Sequence, residues 1–528
     1  MNMNKFLKDT SFIFFPPASK RGKWLKKIAI KLGLTKSYIY NHSYQFWIEN
    51  LEKFMFLGPI EKENLKFSIV IPAYNTKDQY LEPLIYSVLN QTYKNFELII
   101  GDASDKAERS NAIKSISKRD KRIQYVKLNK NEGISGNTNK CLEHVSGDWV
   151  VFMDHDDTLS THALNEVAIK IKSTPRVEII YSDEDKLTDT GIYRHTPHFK
   201  PDWSPHQYLS CNWTSHLSAV RADMVEKVGG LRPICDGAQD YDFILRLLTL
   251  PGERTIGHIP KILYHWRVTG NSTAGNFSQK NYAIKAGEKA LNDFLKAKAI
   301  KAKAKSIYDR PGFYNIDFKA HKDQQALIIV NATKDPIMNK TVINRMKNSN
   351  SSITKVTFIS KEEFDMNQEK HLDILDKNDI IFNINGSYTI DKTKWVDTLC
   401  GVLSMDDVRA VMPKIIWPDK TIKDMGLVLE AGKETPLFKN LHCNAGTFFG
   451  HTEWIRDVVK VSGSFYASKK HTWVKLNISG ISPLTSEDKQ YDVVWSNIIA
   501  VSVGREQGSY QGYNPNLVTN KGSRVPGV

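Results

Sequence analysis

Cysteine is scarce and scattered. The five, Cys141, Cys211, Cys235, Cys400 and Cys443, form no CxxC pair and their number is odd. That argues against a disulfide framework or a structural zinc site and for a reducing compartment. Long hydrophobic runs are lacking too. Nothing approaches the ~18 apolar residues of a membrane span, and Phe12-Ile13-Phe14-Phe15 stops at Pro16-Pro17. No small-residue cleavage site marks a secretory signal. Acids are in short supply, with 58 Asp+Glu against 73 Lys+Arg, a net charge of +15. These absences predict a cytoplasmic protein, soluble or peripheral. Its excess positive charge would face nucleic acid, anionic lipid or anionic small molecules.

What is present is ordinary globular material. Of 528 residues, 41% are hydrophobic and 25% charged, which excludes a disordered chain. At about 150 residues per domain the length predicts two to four domains. The charge is uneven: residues 1–60 hold ten Lys/Arg against three acids, +7. Within Lys20–Lys36, Trp24, Leu25, Ile28 and Leu32 recur at helical spacing, with Lys23, Lys27 and Lys31 on another face. A basic amphipathic helix carrying a Trp suits an anionic membrane interface, although a solvated helix packed on the next domain has the same pattern.

From Lys66 onward short apolar runs alternate with helical stretches. Phe67–Ile71, Phe96–Ile100, Ile123–Leu128 and Trp149–Met153 read as strands, and Tyr80–Leu89 and Ser135–Val145 as helices. The pattern predicts an open, mostly parallel α/β sheet, and such sheets bind ligands at the carboxyl ends of their strands. Polar residues stand at those ends: Tyr74-Asn75, Asp102 and Asp154-His155-Asp156-Asp157. Clustered carboxylates repel one another unless a cation compensates, and oxygen ligands suit Mg²⁺ or Mn²⁺. The bland alternative is an acidic turn capping a helix over Thr158–Lys170. Asp102 fits an acceptor for a ribose hydroxyl or base N–H, or else an Asx turn. Asp240, in Gln239-Asp240-Tyr241-Asp242, fits a general base or simply a favourable acid at a helix start. His265, before Trp266-Arg267, fits a metal ligand or a structural histidine.

Taken in order, Pro72-Ala73-Tyr74-Asn75, Asp102, Asn131-Glu132-Gly133-Ile134-Ser135, Asp154–Asp157, Tyr181-Ser182-Asp183-Glu184-Asp185-Lys186, Phe199-Lys200-Pro201-Asp202-Trp203-Ser204-Pro205, Gln239–Asp242 and His265-Trp266-Arg267 resemble glycosyltransferase family 2. These are inverting nucleotide-sugar transferases of the GT-A fold, and the match is to a bacterial surface-polysaccharide subgroup with tandem GT-A units. The resemblance covers about residues 65–305. It implies that Pro72, Tyr74, Asn75, Asp102 and Asp154 bind the nucleotide sugar, with Asp102 on the base. It further implies that Asp156 and His265 meet a Mn²⁺ or Mg²⁺ ion and that Asp240 is the catalytic base. Where many members carry an Arg before Asn139, this chain has Thr138.

The expected architecture is therefore a basic helical segment (1–64), a Rossmann-like GT-A catalytic domain (65–305), a linker (306–324) and a degenerate GT-A-like α/β domain (325–528). A helix over about Ser278–Lys305 would close the first domain. In the second, Ile380-Ile381-Phe382-Asn383-Ile384-Asn385-Gly386 has the lead-in of a DxD site but no acid, so this copy should be inert. The expected activity is hexosyl or deoxyhexosyl transfer from a nucleotide-diphosphate sugar to a lipid-linked saccharide, for a capsule, O-antigen or cell-wall polymer. It would take place peripherally at the inner face of the cell membrane. The alternatives are a bifunctional polymerase with two sites and a non-catalytic glycan-binding protein. With no recognised nucleic-acid module and few stacking aromatics in the basic cluster, no nucleic-acid partner is expected.

Overall fold

The computed structural model describes residues 44–502, apart from 57, 60, 62–64, 270–279, 308–309, 319–323, 332–335, 350–353, 367–372, 391, 431–432, 448, 480–483 and 485–489. The basic amphipathic helix expected over Lys20–Lys36 lies outside the described residues.

The first sheet contains β1 (Phe67–Ala73), β2 (Phe96–Asp102), β3 (Ile123–Lys127), β4 (Trp149–Phe152), β5 (Thr158–Leu159), β6 (Ile179–Thr188), β7 (Arg194–His198), β8 (Ser218–Arg221) and β9 (Ile256–Val268). Their spatial order is β3-β2-β1-β4-β8-β6-β9-β5, with β7 on β6. β1 runs parallel to both neighbours, Phe67 facing Phe96 on β2 and Trp149 on β4. Covered by helices on its faces, β1 is buried along its length except at Pro72. This is why its sequence reads as a continuous apolar run rather than an alternating one. β8 enters antiparallel beside β4, and β6 and β9 are parallel again.

Two expectations change around residue 300. The closing helix is Lys280–Ala297, and the chain then forms an antiparallel hairpin of β10 (Ala302–Ile307) and β11 (Arg310–Phe318). Lys301-Ala302-Lys303-Ala304-Lys305 has a period of two, with Ala304 buried and the flanking lysines exposed, so it is a strand and not the tail of a helix. Much of the expected linker is likewise strand, with Tyr314 and Ile316 packed inward.

The second sheet contains β12 (Gln325–Asn331), β13 (Lys355–Ser360), β14 (Ile380–Asn385), β15 (Tyr388–Ile390), β16 (Val408–Ile416) and β17 (Ile422–Asp424). Two small hairpins follow, β18 (Leu427–Glu430) with β19 (Lys433–Pro436) and β20 (Gly446–Thr447) with β21 (Gly450–His451). β22 (Arg456–Val458), β23 (Phe465–Lys469) and β24 (Tyr491–Ser502) complete it. Its order, β13-β12-β14-β23-β16-β24-β15, repeats β2-β1-β4-β8-β6-β9-β5 strand for strand. The pairings keep the same parallel and antiparallel senses throughout. Among the described residues β3 has no counterpart. One face of the first sheet shares a single buried apolar cluster with the second domain, and its other face packs into a separate cluster.

Candidate active site

The carboxyl ends of β1 and β4 open onto a cleft of about 860 Å³, within the range of small-molecule sites. Pro72, Tyr74, Asp154, Asp156, Asn212, His216, Asp240 and Trp266 are among the residues lining it. Among the described residues no Lys or Arg lines the cleft, whereas Asp154, Asp156, Asp236 and Asp240 do.

After β4 the chain makes a tight acidic turn and enters β5 at once, Thr158 pairing with His265 of β9. The next helix starts only at Ala163, so Asp157 is not its cap. Asp157 is instead fully buried beneath the turn. Its Oδ2 accepts a hydrogen bond from Tyr264 Oη at 2.6 Å and its Oδ1 accepts the Arg267 N–H at 2.6 Å. Tyr264 Oη in turn accepts the Asp154 N–H at 3.1 Å, so one phenol fixes two members of the turn. The His216 ring stacks on Tyr264, centroids 4.5 Å apart, with Nε2 3.9 Å from Asp154 Oδ2. One ligand atom from each of Asp154, Asp157 and His216 falls within 4.8 Å of the others.

The electrostatics of this turn are unfavourable as they stand. Burial raises the Asp157 carboxyl well above its usual range, and the Asp156 and Asp154 charges raise it further. Asp156 is also raised, by burial and by Asp154, against the pull of His155. A divalent cation removes that penalty, and a donor set of carboxylate oxygens with one imidazole fits Mn²⁺ or Mg²⁺.

The histidine at this cluster is His216, not the expected His265. Successive residues of β9 point to opposite faces. Trp266 lines the cleft and Tyr264 packs beneath the acidic turn on the same face, which turns His265 away, and its Nδ1 lies 2.6 Å from Asp185 Oδ1. Asp185 also accepts from Tyr44 Oη and Arg194 Nε, both at 2.6 Å. Although burial works against it, His265 and Arg194 hold the Asp185 carboxyl below its usual range. His216 was not legible in the sequence because it stands in the connection Trp213-Thr214-Ser215-His216, which carries no motif.

Asp102 is likewise absent from the cleft lining. It is fully buried, and its carboxylate accepts hydrogen bonds from the Ser104 N–H at 2.9 Å, Tyr125 Oη at 2.9 Å and the Ser110 hydroxyl, with Lys127 Nζ at 3.3 Å. As the last residue of β2 it points toward Ser110 on the adjoining helix. The acid beside Tyr74 is Asp105, which accepts from Tyr74 Oη at 3.0 Å and Asn75 Nδ2 at 2.7 Å. Asn75 holds the left-handed backbone (φ +51°) that turns the chain out of β1, a conformation Asn tolerates better than most residues. Pro72 and Tyr74 line the cleft as expected. Thr138 is buried and donates to Ile134 O at 2.7 Å.

Asp240 stands in the first turn of the helix Gln239–Leu247. Its Oδ1 accepts the Tyr241 N–H at 2.8 Å and its Oδ2 accepts Asn212 Nδ2 at 2.7 Å. Burial raises this carboxyl above its ordinary value, with His216 opposing and Asp154 adding to the rise. A raised carboxylate at a cleft wall is a better proton acceptor than an exposed one.

Residues 68–224 match the model of the family described as Glycosyl transferase family 2. The chain is 28% identical over 441 residues to an O-antigen biosynthesis protein of Myxococcus xanthus, covering 78% of this chain and 34% of that one. It is 38% identical over 229 residues to an uncharacterized protein of Sinorhizobium fredii, covering 43% of this chain and 25% of that one. It thus spans about a third or less of the length of these curated relatives. Over 107 residues it is 36% identical to the GalNAc(5)-diNAcBac-PP-undecaprenol beta-1,3-glucosyltransferase of Campylobacter jejuni, 20% of this chain and 34% of that one. A solved mannosyltransferase of Pyrobaculum calidifontis, in complex with GDP-Man and Mn²⁺, aligns at a TM-score of 0.35 and 15% identity, over 48% of this chain and 76% of that one. The match of residues 68–224 to that family falls on the first α/β domain, the one that carries the cleft.

Proposed function

We propose that the chain is an inverting, divalent-metal-dependent glycosyltransferase that moves a sugar from a nucleotide-diphosphate donor to a saccharide acceptor, in making a bacterial surface polysaccharide. The observation that carries this reading is an acid-lined cleft in a family 2 domain. A diphosphate is repelled by Asp154, Asp156 and Asp240 unless a cation stands between, and no Lys or Arg among the described lining residues does that work.

Asp154, Asp157 and His216 would hold the ion, with Asp156 beside them. When bound, it supplies Lewis-acid neutralisation of the charge that develops on the departing diphosphate. Pro72 and Tyr74 form the wall on which the nucleotide rests, with Asn75 behind them. Asp240 takes the proton of the acceptor hydroxyl as that oxygen attacks the anomeric carbon, and the nucleoside diphosphate leaves from the opposite side. One carboxylate suffices for such an inversion. Asn212 and the Tyr241 N–H fix both oxygens of Asp240, so its basic lone pairs point in set directions.

The acceptor we favour is a lipid-linked glycan. The Campylobacter jejuni relative is named for an undecaprenol-diphosphate substrate, and the Myxococcus xanthus relative for O-antigen biosynthesis. No described helix is long and apolar enough to cross a membrane. The +7 segment 1–60 would provide peripheral contact with anionic lipid at the inner face of the cell membrane. A panel of uridine-, thymidine- and guanosine-diphosphate sugars, assayed for nucleoside-diphosphate release with Mn²⁺, Mg²⁺ or chelator, tests the reading. Release from at least one donor, abolished by chelator, is expected. Metal-independent release would overturn the role given to the carboxylate turn.

A further inference from the structure

The second domain touches the first at one place that leads straight to Asp240. His206, in the short helix Pro205–Tyr208, is buried between the domains. Its Nδ1 lies 2.8 Å from Asp457 Oδ1, its N–H donates to Asp457 Oδ2 at 3.2 Å, and its Nε2 lies 3.4 Å from Asp407 Oδ1. The two following anchors are of the same kind. Gln207 Oε1 accepts from an Arg456 guanidinium N–H at 3.1 Å, and Ser210 Oγ accepts the Ile455 N–H at 2.8 Å. Residues 206–210 are thereby fastened to β22 and the residue before it.

The other side of the same segment holds the acid. Tyr208 O accepts the Tyr241 hydroxyl, next in sequence to Asp240. Tyr208 Oη donates to Asn212 Oδ1 at 3.1 Å, and Asn212 Nδ2 donates to Asp240 Oδ2 at 2.7 Å. Between Asp457 and Asp240 every step is a hydrogen bond or a few residues of chain.

We propose that the second domain positions Asp240, gripping His206 and, through residues 206–212, fixing the carboxylate for proton transfer. This rests on the reading of Asp240 as the base. His206 is then a positioning residue, acting on the reaction only through Asp240, and Asn212, at the cleft wall, holds the carboxylate directly. A misplacement of about 1 Å is enough to cost up to ~10²-fold in rate, so the grip has a kinetic consequence out of proportion to the contacts involved.

The test uses the full chain. His206→Gln combined with Asp457→Asn removes both buried charges and leaves amides that can still pair. Asn212→Ala cuts only the last link and leaves the domain contact whole. Hydrogen exchange by mass spectrometry, without ligand, should show faster uptake in the double variant over 206–214 and over 236–243, with 78–89 unchanged. With whichever nucleotide sugar the wild type accepts, each variant should lose about tenfold or more in kcat with donor KM within about twofold. The three substitutions together should lose no more than the larger single effect, because they break one chain of contacts. Faster exchange confined to 206–214, or losses that multiply, would overturn the proposal. Turnover retained by Asp240→Asn would instead remove the base assignment and leave the exchange result to stand by itself.

Discussion

At the end of β4 the chain runs Asp154-His155-Asp156-Asp157 into β5. At the end of β14 it runs Asn385-Gly386-Ser387-Tyr388 into β15. Thr158 and Thr389 occupy matching places, opposite His265 of β9 and Val501 of β24, so the two turns correspond residue by residue. Asp154 falls on Asn385, Asp156 on Ser387 and Asp157 on Tyr388. Tyr264, which holds Asp157, falls on Ala500, and His216 falls on Ser464. Glu184 and Asp185 of β6 fall on Ile415 and Ile416 of β16. The connection that carries the helix Gln239–Leu247 in the first domain, Ala222–Thr255, is represented by the shorter Lys470–Gln490.

The difference separates two layers of information. The apolar strand interiors, kept in both copies, are enough to specify the sheet. The polar groups at the strand ends are expendable for folding. Replacing buried ion pairs by packed aliphatic side chains is often neutral or stabilising, by about 1–4 kcal/mol. The second copy has made that exchange at Ile415 and Ile416. It has also filled the place of Asp157 with the buried phenol of Tyr388, whose hydroxyl donates to Asn385 O at 3.0 Å. The first copy keeps Glu184 against Lys200 at 2.9 Å and Asp185 against Arg194 and His265, and it retains the site.

The largest effect expected from this contrast is at Asp240. In the full chain, Asp240→Asn should lower kcat by ~10²–10⁴-fold, the usual worth of a general base. Nucleoside-diphosphate affinity by calorimetry should be unchanged. Because the described residues of the second domain offer no substitute carboxylate turn, residual turnover near the wild-type rate would break the contrast between the copies.

Next in size is the hydroxyl of Tyr264. Tyr264→Phe leaves the ring stacked on His216 but strips Asp157 of a donor and the Asp154 N–H of an acceptor. Removing such an outer partner should weaken Mn²⁺ binding about 10–100-fold, read as free Mn²⁺ by electron paramagnetic resonance. The melting temperature should fall as well, because the fully buried Asp157 loses one of its donors and has no apolar replacement such as Tyr388 provides in the second copy. Unchanged Mn²⁺ affinity would separate Asp157 from the ion.

A smaller effect concerns the contact between the copies. Burial disfavours the charged form of His206, but Asp457 and Asp407 outweigh it and push the imidazole up to about 10. Since the folded value lies above the ordinary ~6.5, the stability this group contributes is fully present below about pH 6.5. It is lost as pH rises through about 10. The gap in melting temperature between wild type and the His206→Gln/Asp457→Asn variant should therefore be widest at about pH 6.5 and narrow steadily toward about pH 10. A gap that stays constant would mean that the pair carries no linked proton.

The frame of the first domain was readable from sequence because strand and helix periods are local properties. Phe67–Ile71 and Trp149–Met153 declared themselves by composition, and the helix Asp78–Leu89 by spacing. The site was readable only where a residue's direction follows from chain order. Asp154, Asp156 and Asp240 reach the cleft as expected. Asp102 and His265 do not: Asp102 turns into contacts with Ser110 and Tyr125, and His265 is one residue out of phase with Trp266, which lines the cleft. That phase is set by pairing with a neighbour distant in sequence. His216 belongs to the cluster through stacking on Tyr264, a contact that no local pattern announces.

The smallest expected effect is none at all, and it asks whether the acids alone make the difference. Asn385→Asp with Ser387→Asp restores two carboxylates to the second turn at residues that are not buried, so stability should stay within about ±0.5 kcal/mol. Mn²⁺ stoichiometry should remain that of the unsubstituted chain. The new acids would have no hydroxyl where Ala500 replaces Tyr264, no imidazole where Ser464 replaces His216, and a Tyr388 ring in the place of Asp157. They would also stay solvated, and a solvated pair of carboxylates gains little from one ion. An additional Mn²⁺ bound per chain would show that the acids suffice and that the surrounding residues are dispensable. An unchanged stoichiometry assigns the site to the partners that orient and desolvate the acids, which are the groups the second copy has lost.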